Sequence, residues 1–301
     1  MSILVIDKPN GPSSFAVCRR IGALLGKKRE KIGHGGTLDP FASGVLPICI
    51  GEGTKVLPFL LAADKVYEAV VRFGIETDTL DATGQIVAEH ALGALTAPTI
   101  EVALARFRGD IEQIPPMYSA LKHAGRPLYA YARKGQTIER QPRRVTVHAL
   151  ELLGFEPPAR ARLLVRCSKG TYIRQLAADL GQVLGVGAHL VELRRTASGP
   201  FAIEQSITLD AVAARIGRGE QVPLMSPLAA LAHLPRVIVD EPEARVLGHG
   251  QRMAWATFSR GQTLEGPVCA VAERDGGLAL VAIVTRDDEE GVRILRGFRF
   301  G

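Results

Sequence analysis

The stretch KIGHGGTLDPFASGVLPICIGEGTKV, Lys31 to Val56, constrains this chain more than any other. It starts basic, places Gly33, Gly35 and Gly36 around His34, reaches one carboxylate at Asp39, and then enters the apolar run Val45 to Ile50. Glycines let backbone approach a ligand closely. Pro40 steers Asp39 away from helix, toward an extended or turn conformation. The reading is a stiff loop held on a rigid strand, a good support for a reactive group. Asp-Pro is also a common turn dipeptide, and most loop aspartates only cap or solvate. Local chemistry alone therefore leaves Asp39 with two roles.

At 301 residues the chain has room for one large domain and a small one. Its 47% hydrophobic content supports a substantial core. A net charge of +6 suggests a polyanionic partner. Cys18, Cys49, Cys167 and Cys269 lie far apart, without zinc spacing, and read as buried free thiols of a reducing compartment. The opening MSILVIDKPNG has too short an apolar run for a signal peptide, and nothing later approaches a membrane span. A cytoplasmic location follows as an expectation.

Ile3 to Ile6 read as a short buried strand, stopped by turn-rich residues 7–12. Ser13 or Ser14 offers an N-cap for a helix that ends at Gly26. The run Lys27, Lys28, Arg29 and Lys31 leads into the central stretch. Lys65 to Gly74 alternate as a strand, with Tyr67, Ala69, Val71 and Phe73 on one face. Asp78, Asp81 and Gly84 lack calcium-loop spacing and read as a turn between strands. A helix spans Pro98 to Gly109. Between Lys122 and Arg144 stand seven Lys/Arg against Glu139 alone, interleaved with Tyr129 and Tyr131. Such a segment attracts phosphates and can stack on bases, or is a solvated hairpin. Arg162 to Ser168 read as a strand feeding a helix through Leu184, with Arg174 in its first turn. After a linker-like stretch from about 210 to 234, residues 235–301 alternate as strands with a turn at Asp275, Gly276 and Gly277. No Walker, GxGxxG or GxSxG pattern is in place, so no cofactor and no metal is expected.

The fourteen residues GHGGTLDPFASGVL closely resemble the signature of the pseudouridine synthases that modify the T-loop of transfer RNA. DKPNGPSSF, KVYEAVVRFG, SKGTYIRQLAADLG and ELRRTASGPF resemble further motifs of that family, in order. Residues 113–145 resemble a segment of its bacterial members. The resemblance implies a catalytic Asp39, with Arg174 pairing to it, Tyr67 packing against the target base and Leu193 lining the uracil pocket. It also implies that His34 fills the space the base vacates. Lys8 is expected near the RNA or the active-site wall, and Arg133, Lys134, Arg143 and Arg144 on the RNA. Arg194 and Arg195 are expected to face RNA or to be structural.

The implied fold is α+β: a catalytic domain over 1–232 on a mixed, mainly antiparallel sheet flanked by helices, then a small β-rich, barrel-like PUA-type RNA-binding domain over 235–301. The implied activity is conversion of uridine 55 to pseudouridine by base flipping and attack of Asp39, on the ribose or on the pyrimidine ring. The partner is the transfer RNA T-arm, the protein a monomer needing no protein partner, with a possible second role in RNA folding. Two rivals remain: a guide-dependent synthase of the archaeal and eukaryotic type, and a non-catalytic RNA-binding protein on the same scaffold. The 113–145 segment and the lack of a long basic tail oppose the first. Intact Asp39, Tyr67 and Arg174 oppose the second.

Overall fold

The apolar residues that open the chain and those that follow Asp39 pair into one ladder, and that ladder carries the architecture. Strand β1 (Ser2–Lys8) leads through helix α1 (Ser14–Leu24) and short β2 (Ile32–His34) to β3 (Ser43–Ile50), antiparallel to β1 with Ile3 opposite Cys49 and Leu4 opposite Ile48. The computed structural model describes residues 2–27, 29–274 and 276–298; Lys28 and Asp275, singled out above, lie outside the described residues. Ser13 is the N-cap of α1, its hydroxyl accepting from the Ala16 amide.

Helix α2 (Leu57–Ala62) precedes β4 (Lys65–Phe73), and the hairpin β5 (Ile75–Thr77) and β6 (Ile86–Glu89) follows. Next come α3 (Ala97–Leu104), β7 (Gly109–Gln113), the two-residue strands β8 (Lys122–His123) and β9 (Arg126–Pro127), and α4 (Leu128–Ala132). The long strands β10 (Arg143–Glu156) and β11 (Arg160–Cys167) lead to α5 (Ile173–Val183) and β12 (Ala188–Ser198). Short β13 (Phe201–Ala202), β14 (Ile207–Thr208), α6 (Leu209–Gly217) and α7 (Pro227–Ala230) follow. The chain closes with β15 (Arg236–Ile238), α8 (Glu241–Gly248), α9 (Trp255–Ser259), β16 (Val268–Arg274), β17 (Gly277–Arg286) and β18 (Val292–Gly297).

The main sheet runs β14-β1-β3-β12-β4-β11-β10-β7, with β2 added to β3 and β13 to β12. Only β1–β14 and β3–β12 pair in parallel, so the sheet is mixed and mainly antiparallel, as expected. The expected alternation of β4 holds: Tyr67, Ala69, Val71 and Phe73 are all buried on one face.

Strands β1 and β3 are buried on both faces, which marks them as the centre of two cores rather than one. Leu4, Ile6, Leu46 and Ile48 point into the core under α1, α3 and α5. Their neighbours Ile3, Val5, Val45 and Cys49 point the other way, onto Cys269, Val271, Leu280 and Ile283. Full burial of each large aliphatic side chain contributes about 1.5–3 kcal/mol. The second sheet, β15-β16-β17-β18, therefore packs directly on the back of the strand that follows Asp39. This C-terminal region is β-rich as expected, but its described strands form a four-stranded sheet with α8 packed on it rather than a barrel. The stretch read as linker-like contains α6 and α7 and buries Leu228, Ala230 and Leu231 in the shared core. All four cysteines are buried free thiols, and burial pushes the Cys49 thiol up to about 12.

Candidate active site

Asp39 occupies the first position of a tight turn. Its carbonyl accepts from the Ala42 amide at 3.1 Å, and Pro40 takes the second position, where its fixed φ suits such a turn. Two buried side chains of the first motif hold this loop from below. The Ser14 hydroxyl accepts from the Leu38 amide and donates to the Leu38 carbonyl, both at 2.8 Å. The Lys8 ammonium donates to the carbonyls of Pro9, Pro40 and Ala42 at 2.9, 3.2 and 2.6 Å. Lys8 is fully buried, so its expected contact with RNA is corrected. It lies beneath the Asp39 loop, where burial lowers it to about 8 against the opposing pull of Asp39.

Arg174 comes from the first turn of α5 and is 4% exposed. Its Nε donates to Asp39 Oδ2 at 2.9 Å, and its Nη1 lies 3.6 Å from Asp81 Oδ2. Nη1 also donates to the Thr79 carbonyl at 2.8 Å and Nη2 to the Tyr118 carbonyl at 2.7 Å. One guanidinium thus ties the Asp39 loop, the β5–β6 hairpin and the start of the basic segment together. The pairing expected of Arg174 and Asp39 is present, and it offsets the unfavourable helix dipole at this position.

Asp81, read from sequence as a turn residue, is buried and organises the hairpin. Its Oδ1 accepts from the hydroxyls of Thr79 and Thr83 at 2.8 and 2.5 Å and from the Thr83 amide at 2.9 Å. With these donors and Arg174 around it, Asp81 orients the guanidinium. The Thr-x-Asp-x-Thr spacing of Thr79, Asp81 and Thr83 was the available signal. Tyr172, N-cap of α5, was also missed. Buried Gln113 clamps its backbone, donating to the carbonyl at 3.1 Å and accepting from the amide at 2.8 Å.

Asp39 keeps 35% of its side-chain surface exposed. Burial pushes its carboxyl above the ordinary value and Asp81 adds to this, while Arg174 and Lys8 pull it back. Tyr67 and Leu193 are buried in the main core, at 9% and 8% exposure, on neighbouring strands β4 and β12. His34 ends β2, half-buried, with Nδ1 buried and without a hydrogen-bond partner among the described residues. Burial, then the nearby Arg195 charge, lowers its basicity, so at neutral pH the ring is uncharged.

The basic segment is a small hairpin and one helical turn. Arg133 lies 5.3 Å over the exposed Tyr129 ring, whereas Tyr131 is spent on the His123 carbonyl. Lys134 and Arg143 are exposed, and Arg144 pairs with Asp110 at 2.9 Å.

Residues 23–173 match the model of the TruB family pseudouridylate synthase (N terminal domain), and residues 174–232 match that of the tRNA pseudouridylate synthase B C-terminal domain. A protein named tRNA pseudouridine synthase B from Pseudomonas aeruginosa (strain UCBPP-PA14) is 51% identical over 253 residues, 83% of this chain and 82% of the relative. Another of that name from Aromatoleum aromaticum (strain DSM 19018 / LMG 30748 / EbN1) is 48% identical over 278 residues, 91% and 89%. Among solved structures, a chain of a Cbf5-Nop10-Gar1 complex superposes with a TM-score of 0.75 at 29% identity, covering 98% of this chain and 85% of that one. A chain of an H/ACA RNP bound to a substrate RNA containing 2'-deoxyuridine gives 0.69 at 29%, covering 94% and 77%. With the two matched stretches bringing Asp39, Asp81 and Arg174 into one network, this chain belongs to the TruB family of pseudouridylate synthases.

Proposed function

We propose that this protein converts uridine 55 in the T-loop of transfer RNA to pseudouridine, acting alone and without a guide RNA, with Asp39 as nucleophile. The observation that carries this reading is the Asp39–Arg174 pair on the family's motif loop, with the carboxylate partly open to solvent. Transfer RNA is the substrate named for the relatives near 50% identity, whereas the guide-type complexes lie at 29%.

Isomerisation breaks the bond between ribose C1′ and N1 and makes one between C1′ and C5. The C5 hydrogen leaves as a proton, N1 takes one up, and no electrons are gained or lost. Asp39 adds either to C1′, displacing uracil with the bonding pair, or to C6 of the ring. Both routes need an ionised, aimed carboxylate, which Arg174 supplies. Drawing the base from folded RNA costs roughly a few kcal/mol. The neutral His34 ring fills the gap, and Tyr67 and Leu193 wall the extracted base. Because catalysis opens the T-loop, the same surface can also assist RNA folding. Arg133, Lys134 and Arg143 hold phosphates, with Arg144 already shared with Asp110. The C-terminal sheet chiefly supports β3, and its RNA contact rests on exposed Arg236 and Arg293.

The test is conversion of an unmodified transfer RNA transcript, labelled with tritium at uridine C5, by the purified monomeric protein alone. Tritium release of one equivalent per RNA, lost when uridine 55 is replaced, is expected. No release without an added guide RNA would return the protein to the guide-dependent class.

A further inference from the structure

Arg195 is the bulkiest fully buried side chain among the described residues, 1% exposed. Its neighbour Arg194 points the opposite way and meets Asp7 with two nitrogens at 3.1 and 2.8 Å. Arg195 has no such compensation: its hydrogen-bond partners are neutral carbonyls, Val45 at 2.8 Å from Nε, Thr37 at 3.3 Å from Nη1 and Gly36 at 3.0 Å from Nη2. A buried charge without a carboxylate is costly, and a hydrophobic side chain there would favour the fold alone. The position must therefore require what a guanidinium does.

Three features define that requirement. Gly36 and Thr37 lie just before Asp39 and Val45 lies on β3, so one planar fork spans the loop and its supporting strand. Arg195 is also the cross-strand partner of Tyr67, which it faces from β12. Burial raises the Tyr67 phenol, and the Arg195 charge works against that rise. Finally, the backbone of β12 lies against Gly44, where a Cβ would come 2.2 Å from the Arg195 carbonyl oxygen and φ is +104°. Nothing in this seat can slide without moving the loop.

Resting on the function proposed above, we infer that Arg195 is a positioning residue for the isomerisation: its buried fork fixes the Gly36–Thr37 side of the Asp39 loop against β3 and registers it with Tyr67 across the strand. Nucleophile and base wall then keep one separation while a base is drawn in. Ser14 and Lys8 hold the loop from α1 and β1; Arg195 is the only one of the three that also addresses Tyr67. A lysine is a poor replacement, because the planar fork sets Nε, Nη1 and Nη2 on the Val45, Thr37 and Gly36 carbonyls at once, a geometry that an ammonium on a flexible stem does not preset.

Arg195→Lys and Arg195→Met are assayed on the full-length protein with transfer RNA, kcat and KM being read at a temperature where circular dichroism shows the variant folded. Displacement of reacting groups by about 1 Å costs about 10²-fold, so kcat is expected to fall about that much in both, with KM within about threefold. In a cycle with Tyr67→Phe, the double variant is expected to lose at least about fivefold less than the product of the single losses. A fold-only arginine gives a lower melting temperature with kcat of the folded protein intact and multiplicative losses, and that result overturns the inference. So does failure of both variants to fold. Absence of turnover in the unaltered protein instead counts against the proposed function.

Discussion

Residues 235–301 carry nine arginines, no lysine and ten carboxylates, whereas residues 1–234 carry 28 Lys/Arg against 21 Asp/Glu. The two regions also use their charges differently. In the C-terminal region Arg245, Arg252, Arg260 and Arg286 each meet a glutamate on the surface, at 2.5, 2.9, 2.7 and 2.7 Å. In the body, Asp39, Asp81, Arg174, Lys8 and Arg195 are placed in or beneath one loop. Five further cations of the basic segment, Lys122, Arg126, Arg133, Lys134 and Arg143, are exposed with no carboxylate partner among the described residues. The difference teaches a division of labour. The body holds most of the exposed, unpaired charge on which the proposed RNA contact rests, and the C-terminal sheet pairs four of its nine arginines, leaves Arg236 and Arg293 exposed, and lends apolar surface to the back of β3.

The largest effect should come from Asp39, the proposed nucleophile. Asp39→Asn keeps the side chain's shape but cannot attack, so turnover should fall by at least ~10⁴-fold. RNA binding should stay within a few fold. Tritium release from labelled transfer RNA measures the first and filter binding the second; residual turnover near the unaltered rate would remove Asp39 from its role. Next in size, Arg174→Met should lower kcat by about 10²–10³-fold by freeing the carboxylate. Arg174 also holds the Asp39 carboxyl down against burial, so its loss raises that carboxyl further. Activity needs the ionised form and disappears as pH falls through the folded-state value. The acid limb of kcat/KM against pH should therefore move to higher pH in the variant. An unmoved limb would mean that another group titrates.

How much of this was legible follows from range. Period-two alternation gave β4 its inward face, and the motif gave Asp39 and Arg174. Lys8 sits in a turn-rich string that reads as solvated, and nothing local reveals a carbonyl 34 residues away as its partner. Asp81 failed for the same reason: its threonines are local, but Arg174 is not. Arg195 was within reach. Once Leu193 is placed inward on a strand, Arg195 shares its face and Arg194 does not. The barrel expected at the C-terminus failed because strand pattern reports alternation, not closure. The shared core was invisible because a strand buried on both sides shows only that it is buried.

That shared core is the third place to strain the comparison. Ile283 is fully buried between the second sheet and Val45 and Cys49. Ile283→Ala should cost about 2–5 kcal/mol and lower the single unfolding transition of the whole protein. Two separate transitions in urea would show that the regions fold independently. For the same reason, removal of 235–301 should yield insoluble protein rather than an enzyme with a raised KM.

The smallest effects should fall on surface charge, where the two regions should part most cleanly. Changing Arg133, Lys134 and Arg143 to glutamine removes cations that no carboxylate holds among the described residues. In an Asp39→Asn background, so that turnover does not intrude, the slope of log binding against log salt should become shallower by about 0.7 per lost contact, near 2 in all. In the C-terminal region the matching change takes both members of two pairs, Arg245 with Glu241 and Arg286 with Glu290, to glutamine. Net charge is then unaltered and neither pair leaves behind an unpaired carboxylate to repel the RNA. Exposed pairs of this kind contribute about 0–1 kcal/mol to stability, so the fold should barely respond. If those arginines are spent on their glutamates, the slope should stay within about 0.3 of its starting value. A drop of about 0.7 for each arginine would mean that they leave their partners for phosphates, and the C-terminal sheet would then share the RNA with the body.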